Sequence, residues 1–147
     1  MAAYNKINIF VEDLTNKVHD LFGTVSADLC KIMLTNTAPV ATNSVKADLT
    51  EIGAGNGYTA GGEDVQNDGT RSTGTMTLTG TKVVWTASGG SIGPFRYVAL
   101  YNDTPSSPTD PLIAWWDYGS ALTLNSGETF TVKFNGGDPT GTIFTLA

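Results

Sequence analysis

Thiol and imidazole chemistry have almost no foothold in this chain, which holds one cysteine, Cys30, and one histidine, His19. A lone cysteine closes no intramolecular disulfide, so the fold does not depend on oxidation. Cys30 lies in the apolar run Leu-Cys-Lys-Ile-Met-Leu over 29–34, where a small core residue is expected. A Cys–His pair would also need a third group to orient the base. His19 falls between the apolar positions of a helical pattern, on a face expected to be solvated. No His/Cys cluster has zinc-ligand spacing.

Charge is scarce as well. Asp, Glu, Lys and Arg make up 15% of the 147 residues, against a usual ~25%. Acids outnumber bases 14 to 8, giving a net charge of −6. Such a surface has no electrostatic footprint for nucleic acid and is repelled by anionic membranes. Long hydrophobic runs are missing too, and no stretch approaches the ~20 apolar residues of a membrane span. Residues 1–6 lack the basic end and apolar core of a secretion signal. The chain is therefore expected to stay soluble in the cytoplasm that makes it, leaving only by lysis or in a particle.

What is present suits one domain of sheet. Hydrophobic residues reach 40%, enough for a full core, and 17 glycines suit many short strands joined by tight turns. One helical pattern stands out over 9–22, with Phe10, Leu14, Val18 and Leu21 on one stripe and Gly23 as a stop. A strand is expected at 28–35, and Pro39 breaks the run that follows. A helical turn is expected around Ser44–Leu49, and a Gly-rich flexible loop over 53–70. Further strands are expected at 73–79, 81–88, 95–102, 111–118, 128–135 and 141–146. Both alternating sets of 95–101 are largely apolar, which predicts a strand covered on both faces. In 129–134, Phe130, Val132 and Phe134 alternate with Thr129, Thr131 and Lys133, which predicts one dry and one wet face. The fold class expected is mainly β: an antiparallel β-sandwich, jelly-roll-like, with one short N-terminal helix.

Several constellations invite a chemical reading. Asp64-Val-Gln-Asn-Asp68-Gly69 resembles half a calcium loop, but position three is Gln66 and position twelve is Thr75, so an acidic turn is the better reading. Gly53-Ala-Gly-Asn-Gly57 lacks the Gly-Lys-Ser/Thr and the helix of a phosphate-binding loop. Trp115-Trp116-Asp117-Tyr118 is the densest aromatic cluster, and alternation places Trp115 and Trp116 on opposite faces. Core plus subunit interface is the reading preferred there over a sugar-stacking platform. No catalytic, cofactor-binding or metal-ligating residue is assigned, no cofactor is implied, and an enzyme is not expected.

The segments Ile92-Gly-Pro-Phe-Arg-Tyr-Val-Ala-Leu-Tyr-Asn-Asp103, Pro111-Leu-Ile-Ala-Trp-Trp-Asp-Tyr-Gly119 and Asn125-Ser-Gly-Glu-Thr-Phe-Thr-Val-Lys-Phe134 resemble small virion proteins of tailed bacteriophages. The front half agrees, through Lys31-Ile-Met-Leu-Thr-Asn-Thr-Ala-Pro39 and Leu49-Thr-Glu-Ile-Gly-Ala-Gly-Asn-Gly-Tyr58. Some such proteins are cement or head-decoration proteins. The resemblance implies a protein on the outside of the shell, with the major capsid protein for a partner, and a homodimer is expected because two-fold dimers are the commonest assembly and strand 111–118 is apolar on both faces. The N-terminal arm 1–9 and the loop 53–70 are the parts expected to stand free of the sandwich and meet the shell. A tail, fibre or receptor-binding component is the alternative within the virion, and a carbohydrate-binding module the alternative outside it.

Overall fold

The computed structural model describes residues 2–22 and 27–147. Strand makes up 49% and helix 6%, so the chain is mainly β. In chain order the elements are β1 (Asn5–Lys6), α1 (Phe10–Thr15), β2 (Cys30–Thr35), a 3-10 turn (Lys46–Asp48), β3 (Glu63–Asp64), β4 (Asp68–Ser72), β5 (Thr75–Thr81), β6 (Val83–Thr86), β7 (Ile92–Asn102), β8 (Leu112–Leu124), β9 (Thr129–Val132) and β10 (Thr140–Leu146).

Each strand pair is antiparallel. One layer is the sheet β1-β8-β7-β2-β3, and the other consists of β10-β5-β4 and β6-β9. Only Lys82 separates β5 from β6, and an Asn135–Thr142 bridge ties the end of β9 to β10, so the two small sheets act as one bent layer. Aromatic contacts fasten the layers together: Phe95 to Phe130 at 4.9 Å between centroids, Trp116 to Phe134 at 5.9 Å, and Tyr4 to Phe144 at 6.1 Å.

The centre of the fold follows from sequence. Val98, Ala99, Leu100, Tyr101 and Asn102 of β7 are all buried, as expected of a strand covered on both faces. Burying side chains such as Leu100 and Val98 stabilises the fold by about 1.5–3 kcal/mol each. β8 outruns its expected end at 118 by way of a bulge. Tyr97 pairs with Asp117 and Phe95 with Leu122, so five steps on β8 match two on β7. Gly119 takes the positive φ of 100° within that bulge, a region other residues rarely adopt.

Three peripheral expectations need correction. The helix stops at Thr15, although the apolar stripe continues. Lys17 adopts φ 59°, Val18 N–H donates to Asp13 C=O and Lys17 N–H to Leu14 C=O. Those two bonds form a Schellman turn with a lysine where glycine is usual. Leu21 is still buried, but by a non-helical path, and the expected stop at Gly23 lies outside the described residues.

The arm 1–9 does not stand free. Asn5 and Lys6 pair with Trp115 and Ala114, Ile7 N–H donates to Ile113 C=O, and the Ile7 side chain is buried. The reason is that β8 would otherwise present an uncovered edge.

The segment 53–70 holds β3, the start of β4 and the buried side chains Tyr58 and Val65. Tyr58 Oη donates to Glu51 Oε1 at 2.7 Å and accepts from Leu34 N–H at 3.1 Å. Gly62 lies so close to β2 that a Cβ there would stand 1.9 Å from the Ile32 carbonyl oxygen. Glycine serves here for close approach rather than for looseness.

Candidate functional site

An apolar cleft of about 340 Å³ lies where β8 and β9 part. Trp116 and Tyr118 of β8 form one wall, and residues 130–134 form the other. β9 pairs with β6 alone among the described strands, so its second edge is open. Both the apolar members Phe130, Val132 and Phe134 and the polar members Thr131 and Lys133 line the cleft. Tyr118 is 54% exposed and meets Phe130 edge-on at 5.7 Å.

The charged residue lining this cleft, Lys133, is already partnered. Lys133 and Lys82 both donate to the Asp138 carboxylate, and the two cations hold it down to about 2. On the other face of β8 from Trp116 and Tyr118, Arg96 forks onto Asp117 through two bonds of 2.8 Å, and these hold the Asp117 carboxyl below its usual range. The cleft therefore offers shape and apolar surface, with Ala2 at one end, and no convergent set of free polar groups.

The tryptophans do not make an exposed row. Trp85 is buried, Trp116 is 9% exposed, and Trp115 packs partly buried against the core. The expected dry face of 129–134 is present, but only Phe134 on it is buried, because the layers diverge beside Phe130 and Val132.

Cys30 is fully buried in β2, and burial, with Asp28 and Asp64 adding, pushes its thiol up and away from thiolate. Asp64 Oδ1 accepts from Gln66 N–H at 2.6 Å, the bond of an acidic turn. Among the described residues no three acidic, His or Cys side chains gather as metal ligands would. Gly55 and Tyr58 close a tight turn within the Gly-rich segment, and no helix follows it.

His19 departs most from expectation. It is buried rather than solvated, because the chain leaves the helix before reaching it. Its Nδ1 lies 3.0 Å from Asn102 Nδ2 at the end of β7. Asn102 Nδ2 also donates to Asp28 Oδ2 at 2.6 Å, and Asn102 Oδ1 accepts from Thr104 N–H at 3.1 Å. Asp28 Oδ2 takes a further bond from Asp20 N–H at 2.8 Å. His19 Nε2 faces Asp13 Oδ2 of α1 at 3.9 Å, too far for a hydrogen bond.

Three buried side-chain polar atoms lack a partner among the described residues, and two of them are Asp13 Oδ2 and His19 Nε2. Burial lowers the His19 imidazole to about 4 against the opposing pull of Asp28. Burial, with Glu12, raises the Asp13 carboxyl. No sequence pattern links Asp13, His19, Asp28 and Asn102, since the fold alone brings them together.

No protein-family model matches the chain, and no curated protein or solved structure matches it. Among the described residues no helix is long and apolar enough to cross a membrane.

Proposed function

We propose that this chain is a bacteriophage virion structural protein, a cement protein that binds the outer face of the major capsid protein shell and stabilises it. The observation that carries the reading is the open apolar cleft of β8 and β9, whose wall residue Tyr118 is exposed while Lys133, the charged residue lining it, is paired with Asp138. That is the character of a docking surface. The segments that resemble tailed-phage virion proteins include both walls of this cleft. A sugar-binding module would need an exposed aromatic row with facing carboxylates, and the tryptophans here pack into the core.

The mechanism is linkage. A ligand that binds the assembled lattice better than free subunits stabilises the lattice. Many symmetric copies multiply a modest contact. The test is a heat challenge of DNA-filled particles with and without the protein, scored by DNA release, beside cryo-electron microscopy of the particles. Earlier release without the protein, and copies on the shell, are expected. Equal survival, or copies on the tail alone, would overturn the reading.

A further inference from the structure

We infer that His19 is a proton-operated latch, holding α1 and the residues after it, 10–22, against the end of β7 only while its imidazole is neutral. The orientation of the Asn102 amide is fixed at both ends. Its nitrogen serves the Asp28 carboxylate and its oxygen serves Thr104 N–H. Turning the amide over would set oxygen against carboxylate and N–H against N–H. Asn102 therefore presents an N–H to His19, and His19 Nδ1 has to accept it. The imidazole proton then sits on Nε2.

An imidazolium carries protons on both nitrogens and accepts at neither. Protonation thus sets the Nδ1–H of His19 against the N–H of Asn102. The side chain is fully shielded from solvent, so water cannot take up the orphaned donors in the closed form.

Two carboxylates pull the other way. Asp13 on α1 stands 3.9 Å from Nε2, beyond hydrogen-bond reach. Asp28 already accepts from Asn102 and from Asp20 N–H. Phe10 of α1 presents an apolar ring, 5.2 Å from the imidazole between centroids. Beyond Thr104 N–H the neighbouring charge, Asp103, is paired with Lys31 at 2.6 Å. Burial outweighs these attractions and keeps the imidazole neutral to about 4.

The sign follows from linkage. The latch is at full strength above the ordinary histidine value of 6.5 and weakens as pH falls toward 4, by at most about 300-fold in the closed-to-open ratio. The raised Asp13 carboxyl opposes this, because its protonation relieves its own burial cost, but it restores no acceptor at Nδ1. Opening would uncover Phe10 and Leu21, both buried in the closed form. The Leu21 backbone packs on β4 so closely that a Cβ at Gly69 would stand 2.2 Å from the Leu21 carbonyl oxygen. The five strands of the main sheet pair without residues 10–22, so the sandwich is free to persist.

Amide hydrogen exchange on the whole chain from about pH 7.5 to about pH 4.5, corrected for intrinsic rates, tests the latch. Protection in 10–22 is expected to fall about tenfold or more, while β7 and β8 keep theirs. The imidazole, followed by NMR, is expected to titrate well below 6.5. His19→Gln supplies an amide oxygen that accepts from Asn102 and does not titrate, so its protection should not fall as pH drops. Simultaneous loss of protection across segment and sandwich would overturn the latch. So would titration of His19 near 6.5 with protection unchanged, or equal pH dependence in His19→Gln. If that variant does not fold, the wild-type segment-to-sandwich comparison and the imidazole titration decide the matter.

Discussion

The β7–β8 pair carries two regions that reverse the usual partition of polar and apolar groups. At Asn102, where β7 ends, the polar side chains of Asn102, His19 and Asp13 are buried. At Trp116 and Tyr118, along β8, an apolar cleft lies open to water. A buried polar group is held by directional bonds, so each member fixes the position of the next. An open apolar wall has no directional bonds to lose, so its members can change with little cost to the fold. The first region should govern stability and its response to pH, and the second should govern what the protein touches. Substitutions in each can break that division or sharpen it.

The largest effect is expected for Asn102→Ala. It strips partners from His19 Nδ1, Asp28 Oδ2 and Thr104 N–H together. His19 Nδ1 is left a buried orphan, at roughly 1–3 kcal/mol, while half-buried Asp28 keeps its bond from Asp20 N–H and Thr104 is exposed, so a loss of about 3 kcal/mol is expected. Urea unfolding checks it, as a lower midpoint with an unchanged slope. A midpoint within error of wild type would show that the cluster carries no stability.

Next comes pH. The His19 imidazole is held below its ordinary value, so its contribution is complete above 6.5 and is lost as pH falls toward 4. The ceiling is about 3 kcal/mol for such a shift, reduced by the opposite behaviour of Asp13. Unfolding midpoints of wild type and His19→Gln should therefore keep a constant difference above pH 6.5, and the wild type should lose stability relative to the variant as pH falls toward 4. Parallel curves would assign the acid response to other groups.

The cleft wall should respond less. Phe130 is half-buried and touches Phe95, Trp85 and Tyr118. Phe130→Ala should cost about 2 kcal/mol, below the 3–5 of a fully buried phenylalanine, because part of the ring already faces water. A calorimetric melting shift of several degrees checks it. A shift as large as that of Asn102→Ala would mean the cleft is core rather than surface.

The same contrast separates what sequence could and could not say. The strand over 95–102 was legible because two-faced apolar alternation is a local property of the chain, although β7 begins three residues earlier, at Ile92. The dry face Phe130, Val132 and Phe134 was legible for the same reason. That the face stands open was not, since openness depends on where two layers part. The two residues of β1 have no pattern of their own and are strand only because β8 offers an edge. The burial of His19 was misread by carrying a helical phase past Asn16, where a Schellman turn at Lys17 resets the direction of every later side chain. Lysine at that turn gives no warning, as glycine would have done. The polar cluster joins residues from α1, from beside β2 and from the end of β7, a juxtaposition that only the folded chain contains.

The smallest expected effect on stability belongs to Tyr118→Asp, which is the sharpest test of the division. Tyr118 is 54% exposed and lies in the bulged part of β8, where the chain already departs from regular pairing with β7. A carboxylate there buries no charge, so stability should stay within about 0.5 kcal/mol of wild type. Docking is another matter. A partner that covers the cleft would have to desolvate the new carboxylate, and the cation that lines the cleft, Lys133, is already committed to Asp138. Desolvating an unpaired charge costs several kcal/mol, so occupancy on particles should fall at least tenfold at limiting protein. Co-sedimentation of the folded variant with particles stripped of the wild-type protein measures it. Undiminished binding would remove the cleft from the interface and leave the shell contact to another face, even if the protein still protects the particle from heat.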